Sequence, residues 1–120
     1  MAGRDFEIIR VGQRAFEFEV MIHGGALSDR QPLLILHSIE FAVPPSEAFC
    51  DAMWKNGLQV IFVRRAGFGR TSPLPQVLLS KKSIVNGATA AAEAAMLQQL
   101  IEMLRLENVV LLANGSSNPV

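Results

Sequence analysis

Residues 61–73 read "IFVRRAGFGRTSP", and this stretch decides the fold. Ile61, Phe62 and Val63 close an apolar run that begins at Val60, as expected of a strand covered on both faces. Two arginines and Gly67-Phe68-Gly69 follow, so the chain leaves the strand through a loop. A Gly-x-Gly after a strand raises the question of a phosphate cradle. That device needs a helix opening directly from the glycines, with its first amides aimed at the anion. Here Pro73 and Pro75 follow, and the next helical pattern lies well downstream. The stretch predicts a buried strand and a loop, not a dinucleotide site.

Working outward, the same kind of apolar run recurs at 33–36 (Leu-Leu-Ile-Leu) and at 109–112 (Val-Val-Leu-Leu). Between the first two runs, Ser46 suits an N-cap, Phe49, Cys50, Met53 and Trp54 recur at helical spacing, and Gly57 suits the C′ position. Between the last two, residues 83–106 carry the strongest helical pattern. Met96, Leu97, Leu100, Ile101 and Leu104 hold one stripe, and an Ala-rich first half favours close packing. At the start, residues 6–11 read as a strand, Gly12-Gln13 as a tight turn, and Phe16, Phe18, Val20 and Ile22 alternate with Glu17, Glu19, Met21 and His23. That period of two marks a strand with one covered face. The order is hairpin, strand, helix, strand, helix, strand. It predicts an α/β fold: a mostly parallel sheet with an N-terminal antiparallel hairpin and helices on both faces. No repeat, linker or composition step divides residues 1–120, which read as a single domain.

Composition narrows the function classes. Eleven basic and eleven acidic residues cancel, so no global field draws the chain to nucleic acid or to an anionic membrane. The lone Cys50 excludes a disulfide framework and a thiolate-rich metal site, and fits a reducing compartment. The charged start "MAGRDFEIIR" is unlike a signal peptide, and no apolar run approaches the ~20 residues of a membrane span. The expectation is a cytoplasmic protein with no cofactor and no metal.

Three loops leave the carboxyl ends of the buried strands, where open α/β sheets place their sites. Together they resemble the α/β-hydrolase family. The strand "PLLILH" and its loop resemble that family's third strand and His-Gly oxyanion loop. "IFVRRAGFGRTSP" is similar to the stretch after the fourth strand, usually Asp-Arg-x-Gly-x-Gly-x-Ser. Arg65, Gly67, Gly69 and Thr71 match it or nearly so, while Arg64 stands in place of the Asp. "ENVVLLANGSS" falls where the fifth strand and the nucleophile elbow belong. The resemblance spans essentially all 120 residues but only the first five strands of the family's fold.

The elbow of that family is Gly-x-Ser-x-Gly, a strained strand-to-helix turn that exposes the serine oxygen. Two registers are open here. Counting from the strand puts the nucleophile position on Gly115, which has no hydroxyl. A shift of one gives Asn114-Gly115-Ser116-Ser117-Asn118, with Ser116 as nucleophile and Asn in both small-residue seats. The alternative is a plain Gly/Ser/Asn turn that ends a strand and caps a helix starting near Pro119. The resemblance also implies oxyanion donors at the backbone amides of Ile39 and Ser117. Ser38 occupies the Gly seat of that loop, with Glu40 beside it. It implies structural roles for His37, Arg65, Gly67 and Gly69 in the loops.

An activated serine needs a base and a group to orient it. Only two histidines exist. His23 reads as a strand-end residue, and His37 as the loop histidine. The family's acid and catalytic histidine follow the elbow, so these 120 residues assemble no triad. The remaining features read as structure: Cys50 as a small core residue, and Arg64, Arg65 and Arg70 as solvated loop charges rather than an anion site. The last strand is expected at an unprotected sheet edge. Either the chain belongs to a longer polypeptide, or it buries that edge in a symmetric partner as a homodimer. Two functions stand: the N-terminal part of a serine hydrolase cleaving an ester- or amide-type bond, inactive as these residues alone, or a non-catalytic hydrolase-like domain for dimerisation, regulation or small-ligand binding.

Overall fold

The computed structural model describes residues 6–12, 16–37, 43–73 and 88–113, with the backbone alone at 88–92. Among these residues five strands and two helices follow one another: β1 (Phe6–Val11), β2 (Phe16–Ile22), β3 (Gln31–Leu36), α1 (Glu47–Lys55), β4 (Leu58–Val63), α2 (Ala88–Met103) and β5 (Val110–Ala113). The strands form a single sheet in the order β1-β2-β4-β3-β5. β1 pairs antiparallel with β2, and β2 antiparallel with β4. β3 lies parallel between β4 and β5. The sheet is mixed, with the hairpin joined edge-on to the parallel strands.

Among the described residues each face of the sheet carries one helix. Phe18, Val20 and Ile22 of β2, Leu34 and Leu36 of β3, and Ile61 and Val63 of β4 form one apolar layer with Leu97 and Leu100 of α2. Met21, Leu33, Ile35, Val60 and Phe62 point the other way and meet Cys50 of α1. The two-residue alternation of side chains explains this division. Burying both faces is what makes the runs at β3 and β4 continuously apolar.

β2 departs from its expected single covered face. Met21 is fully buried and Glu19 nearly so. The alternation was real as a pattern, but the second face is filled: Met21 joins the α1 layer, and Glu19 finds cationic partners described below. A charged residue in an alternating strand signals solvent only if no opposite charge is folded against it.

The helix ends follow from local chemistry. Ser46 caps α1, its Oγ accepting the Phe49 amide at 3.1 Å. Gly57, at φ +84°, follows the C-cap Asn56 and turns the chain into β4. α2 stops at Met103, short of the expected residue 106, while 83–87 lie outside the described residues. Its end is a Schellman turn: the Leu106 amide reaches Ile101 O at 3.1 Å and the Arg105 amide reaches Glu102 O at 3.1 Å. Arg105 supplies the left-handed residue at φ +55° where glycine is usual. Leu106 and Ile101 both pack on the α2-side core, the apolar contact that accompanies such a turn.

β5 begins one residue later than expected and is exposed rather than buried. Val110, Leu111 and Leu112 are 40%, 49% and 40% accessible. Among the described residues β5 is a sheet edge, which accounts for an apolar run without burial. None of the described helices is long and apolar enough to cross a membrane.

Leu34, fully buried at the centre of β3, should cost about 2–5 kcal/mol of stability when changed to Ala. Ser46→Ala should cost about 1 kcal/mol through loss of the cap. Urea unfolding followed by circular dichroism measures both, and equal costs would contradict this assignment of core and cap.

Candidate active site

Leu36 pairs with Val63 on one side and with Ala113 on the other. Three parallel strands therefore end level at Leu36, Val63 and Ala113, and His37 and Arg64 step off that edge of the sheet. Of the residues singled out in the sequence, His37, Arg65, Gly67 and Gly69 lie at this edge. Ile39, Ser116 and Ser117 lie outside the described residues, as do Ser38, Glu40 and Gly115.

The loop after β4 folds on itself and onto β2. The Phe68 amide reaches Arg65 O at 2.9 Å, the Thr71 amide reaches Phe68 O at 3.0 Å, and the Gly67 amide closes the loop on Ser72 O at 3.1 Å. Gly67 and Gly69 hold φ values of +84° and +54°, which favour glycine. A Cβ on Gly69 would run into the Glu19 carboxylate and the Arg64 side chain. Thr71 Oγ1 accepts the Glu19 amide and donates to Arg64 O, both at 2.9 Å. Ser72 Oγ accepts the Glu17 amide at 3.0 Å, while its own amide donates to Glu17 O at 2.8 Å. The loop thus extends the pairing of β4 with β2. The amides of Gly67, Phe68, Thr71 and Ser72 donate inside the protein rather than outward to an anion.

Arg64 and Arg65 are largely buried rather than solvated, contrary to the sequence expectation, while Arg70 stays exposed as expected yet pairs with Glu19. Glu19 accepts the Arg70 amide at 3.0 Å and Arg70 Nε at 3.1 Å, and Arg64 Nε lies 3.5 Å away. The Arg64 guanidinium also rests over the rings of Phe6 and Phe62, at 5.0 and 5.4 Å. Burial by itself pushes the Glu19 carboxyl up. The Arg70 hydrogen bonds and the charges of Arg70 and Arg64 outweigh it, and the group sits below its ordinary value.

On the other face stands Glu93 of α2, which sequence reasoning missed. Its Oε1 accepts Arg65 Nη2 at 2.7 Å and Nε at 3.1 Å, and its Oε2 accepts the Ala66 amide at 2.9 Å. Both side chains are nearly buried, at 10% accessible for Arg65 and 13% for Glu93. Arg65 Nη1 is buried without a partner. A signal existed: Glu93 stands four residues before Leu97 on the apolar stripe, in a run otherwise free of charge from 88 to 101. An acid at a buried helical position requires a partner.

His37 is 2% accessible. Its Nε2 accepts the Arg65 amide at 2.9 Å, and its ring packs edge-on against Phe68 at 4.8 Å. A ring nitrogen that accepts an amide carries no proton, so Nδ1 carries it. Through this contact His37 joins the end of β3 to the loop after β4. His23 follows β2 at the opposite end of the sheet, where its amide donates to Val60 O at 3.0 Å. Its Nε2 meets Asp51 Oδ1 at 3.0 Å, far in the topology from the level strand ends. Cys50 is buried under α1 as expected, and no metal-ligating cluster occurs among the described residues.

With this geometry in place, known structures can be compared. An epoxide hydrolase from Vigna radiata matches with a TM-score of 0.64, covering 98% of this chain and 34% of its own at 18% identity. A bromoperoxidase from Bacillus anthracis matches with a TM-score of 0.56, covering 89% of this chain and 34% of its own at 23% identity. A haloalkane dehalogenase from Paraglaciecola agarilytica NO2 has a TM-score of 0.56, covering 90% and 34% at 20% identity. No protein-family model and no curated protein matches the chain. The likenesses, all to α/β-hydrolase-fold enzymes, identify the fold: these residues form the N-terminal part of an α/β-hydrolase sheet. The chain spans about a third of the length of those solved structures.

Because folding lowers the Glu19 pKa, its contribution is complete above the unfolded carboxylate range and is lost as pH falls toward the folded value. Stability should decline on acidification below the ordinary glutamate pKa, and Glu19→Gln should flatten that decline in urea midpoints taken across pH. Gly69→Ala should cost at least about 1–2 kcal/mol for the left-handed backbone alone. An unchanged urea midpoint would contradict the close approach to Glu19.

Proposed function

We propose that this chain forms the nucleophile-bearing part of a serine-type α/β-hydrolase acting on an ester- or amide-type bond. In this reading Ser116 attacks from the turn after β5, and the amides of Ile39 and Ser117 stabilise the developing oxyanion. The observation that supports the reading is the level ending of β3, β4 and β5 at Leu36, Val63 and Ala113, on one edge of the sheet. Neither histidine offers a base there: His37 Nε2 is engaged by the Arg65 amide, and His23 lies at the other end of the sheet. The acid and the base come from polypeptide outside these 120 residues.

A second reading, an association module, is favoured by one feature. β5 presents three exposed apolar side chains and no charge at a sheet edge, a surface suited to further strands or to a second copy. The chain's zero formal net charge opposes neither association.

Hydrolysis of an activated ester such as p-nitrophenyl acetate tests the first reading, with Ser116→Ala measured in parallel. The chain alone should stay at background with and without the substitution. A longer protein carrying a downstream carboxylate and histidine should turn over and lose about 10³-fold or more with Ser116→Ala, as removal of a nucleophile does. Activity that survives the substitution would contradict Ser116. Turnover by these residues alone that depends on Ser116 would contradict the incomplete relay.

A further inference from the structure

The buried carboxylate of Glu93 belongs to no step of the reading above, yet it makes the densest polar contact at the strand edge. Its two oxygens do different work. Oε1 receives the side chain of Arg65 through two nitrogens, and Oε2 receives the amide of the next residue, Ala66. Together they fix the backbone on the carboxyl side of Arg65. On its amino side, the Arg65 amide points at His37 Nε2, 2.9 Å away. Three elements that are distant in sequence thus meet through one residue: α2 supplies the carboxylate, the β4 loop the arginine and the end of β3 the imidazole.

We propose that Glu93 is a positioning residue that, through Arg65, holds His37 as the Nδ1–H tautomer and locks the end of β3. Imidazole presents one acceptor and one donor, and which nitrogen accepts is set by its hydrogen-bond partner. Here that partner is a main-chain amide whose direction depends on the peptides flanking Arg65. With Glu93 in place the amide aims at Nε2 and removes that nitrogen from proton transfer. The ring is wedged against Phe62 and Phe68, with centroids at 5.8 and 4.8 Å, so it cannot turn to offer the other nitrogen without disturbing the core. The functional weight of the clamp rests on the hydrolase reading, in which the end of β3 leads into the oxyanion loop. The clamp itself does not depend on any reaction.

Histidine-selective 15N labelling tests it, because the chain has two histidines and His23→Asn leaves His37 alone. Long-range 1H–15N spectra at mildly alkaline pH should show a single neutral tautomer, with the proton on Nδ1. Glu93→Gln keeps the size of the side chain but cannot accept from both Arg65 and Ala66. The Nε2–H tautomer should then appear as a major species, and Glu93→Asp, which keeps both oxygens, should restore part of the original signal. Arg65→Lys, which loses the two-nitrogen grip but keeps the backbone amide, should shift the spectrum in the same direction and serves if Glu93→Gln does not fold. A purely structural Glu93 would lower the unfolding midpoint and leave the tautomer unmixed; that result in a folded variant overturns the proposal. So does an Nε2–H tautomer in the wild-type chain. Failure of the hydrolase reading would leave the histidine spectrum unchanged, and an overturned clamp would leave the Ser116 dependence unchanged.

Discussion

β3 is the strand on which the rest depends. Among the described strands it is the one with parallel partners on both sides, and its inner residues are buried on both faces. Such a strand has no water to satisfy its amides and carbonyls, so both ladders must form. The register this imposes, with Leu36 level with Val63 and Ala113, brings three chain exits to one edge. The position of the candidate site is thus a consequence of backbone hydrogen bonding in a dry layer.

Two carboxylates complete that edge from opposite faces of the sheet. Glu19 reaches the β4 loop from β2, and Glu93 reaches it from α2. Each accepts a main-chain amide as well as an arginine side chain, so each fixes backbone and charge together. Hydrogen bonds to ionised groups in such partly dry surroundings are stronger than neutral ones. Arg64, standing where the resembling family has an acid, is drawn onto Phe6 and Phe62 and toward Glu19. The Gly-Phe-Gly segment is thereby tied to β2 and to Glu19 at the edge.

Much of this was legible in the sequence, and the misses share a cause. Apolar runs and helical stripes located every described strand and helix, because burial on one or two faces leaves a period in the chain. Ser46 and Gly57 marked the ends of α1 for equally local reasons. The burial of Glu19, Arg64 and Arg65 was not legible, because it depends on partners 45 to 51 residues or 28 residues away. Local pattern treats each as a surface charge. Glu93 was missed as well, although as an acid on an apolar stripe it carried a local signal. The edge position of β5 was expected from the strand order, not from its composition, since an edge strand and a central strand can share the same residues. The elbow residues Ser116 and Ser117 and the amide of Ile39 lie outside the described residues, so their roles stand as proposals.

The level ending of the three parallel strands is most directly measured by interstrand nuclear Overhauser contacts in the isotopically labelled chain. The account predicts backbone contacts from Leu34 to Ile61 on one side and to Leu111 on the other, in parallel register. Contacts from β5 to any other strand, or a register displaced by even one residue, would move the exit after Ala113 away from His37 and contradict the shared edge.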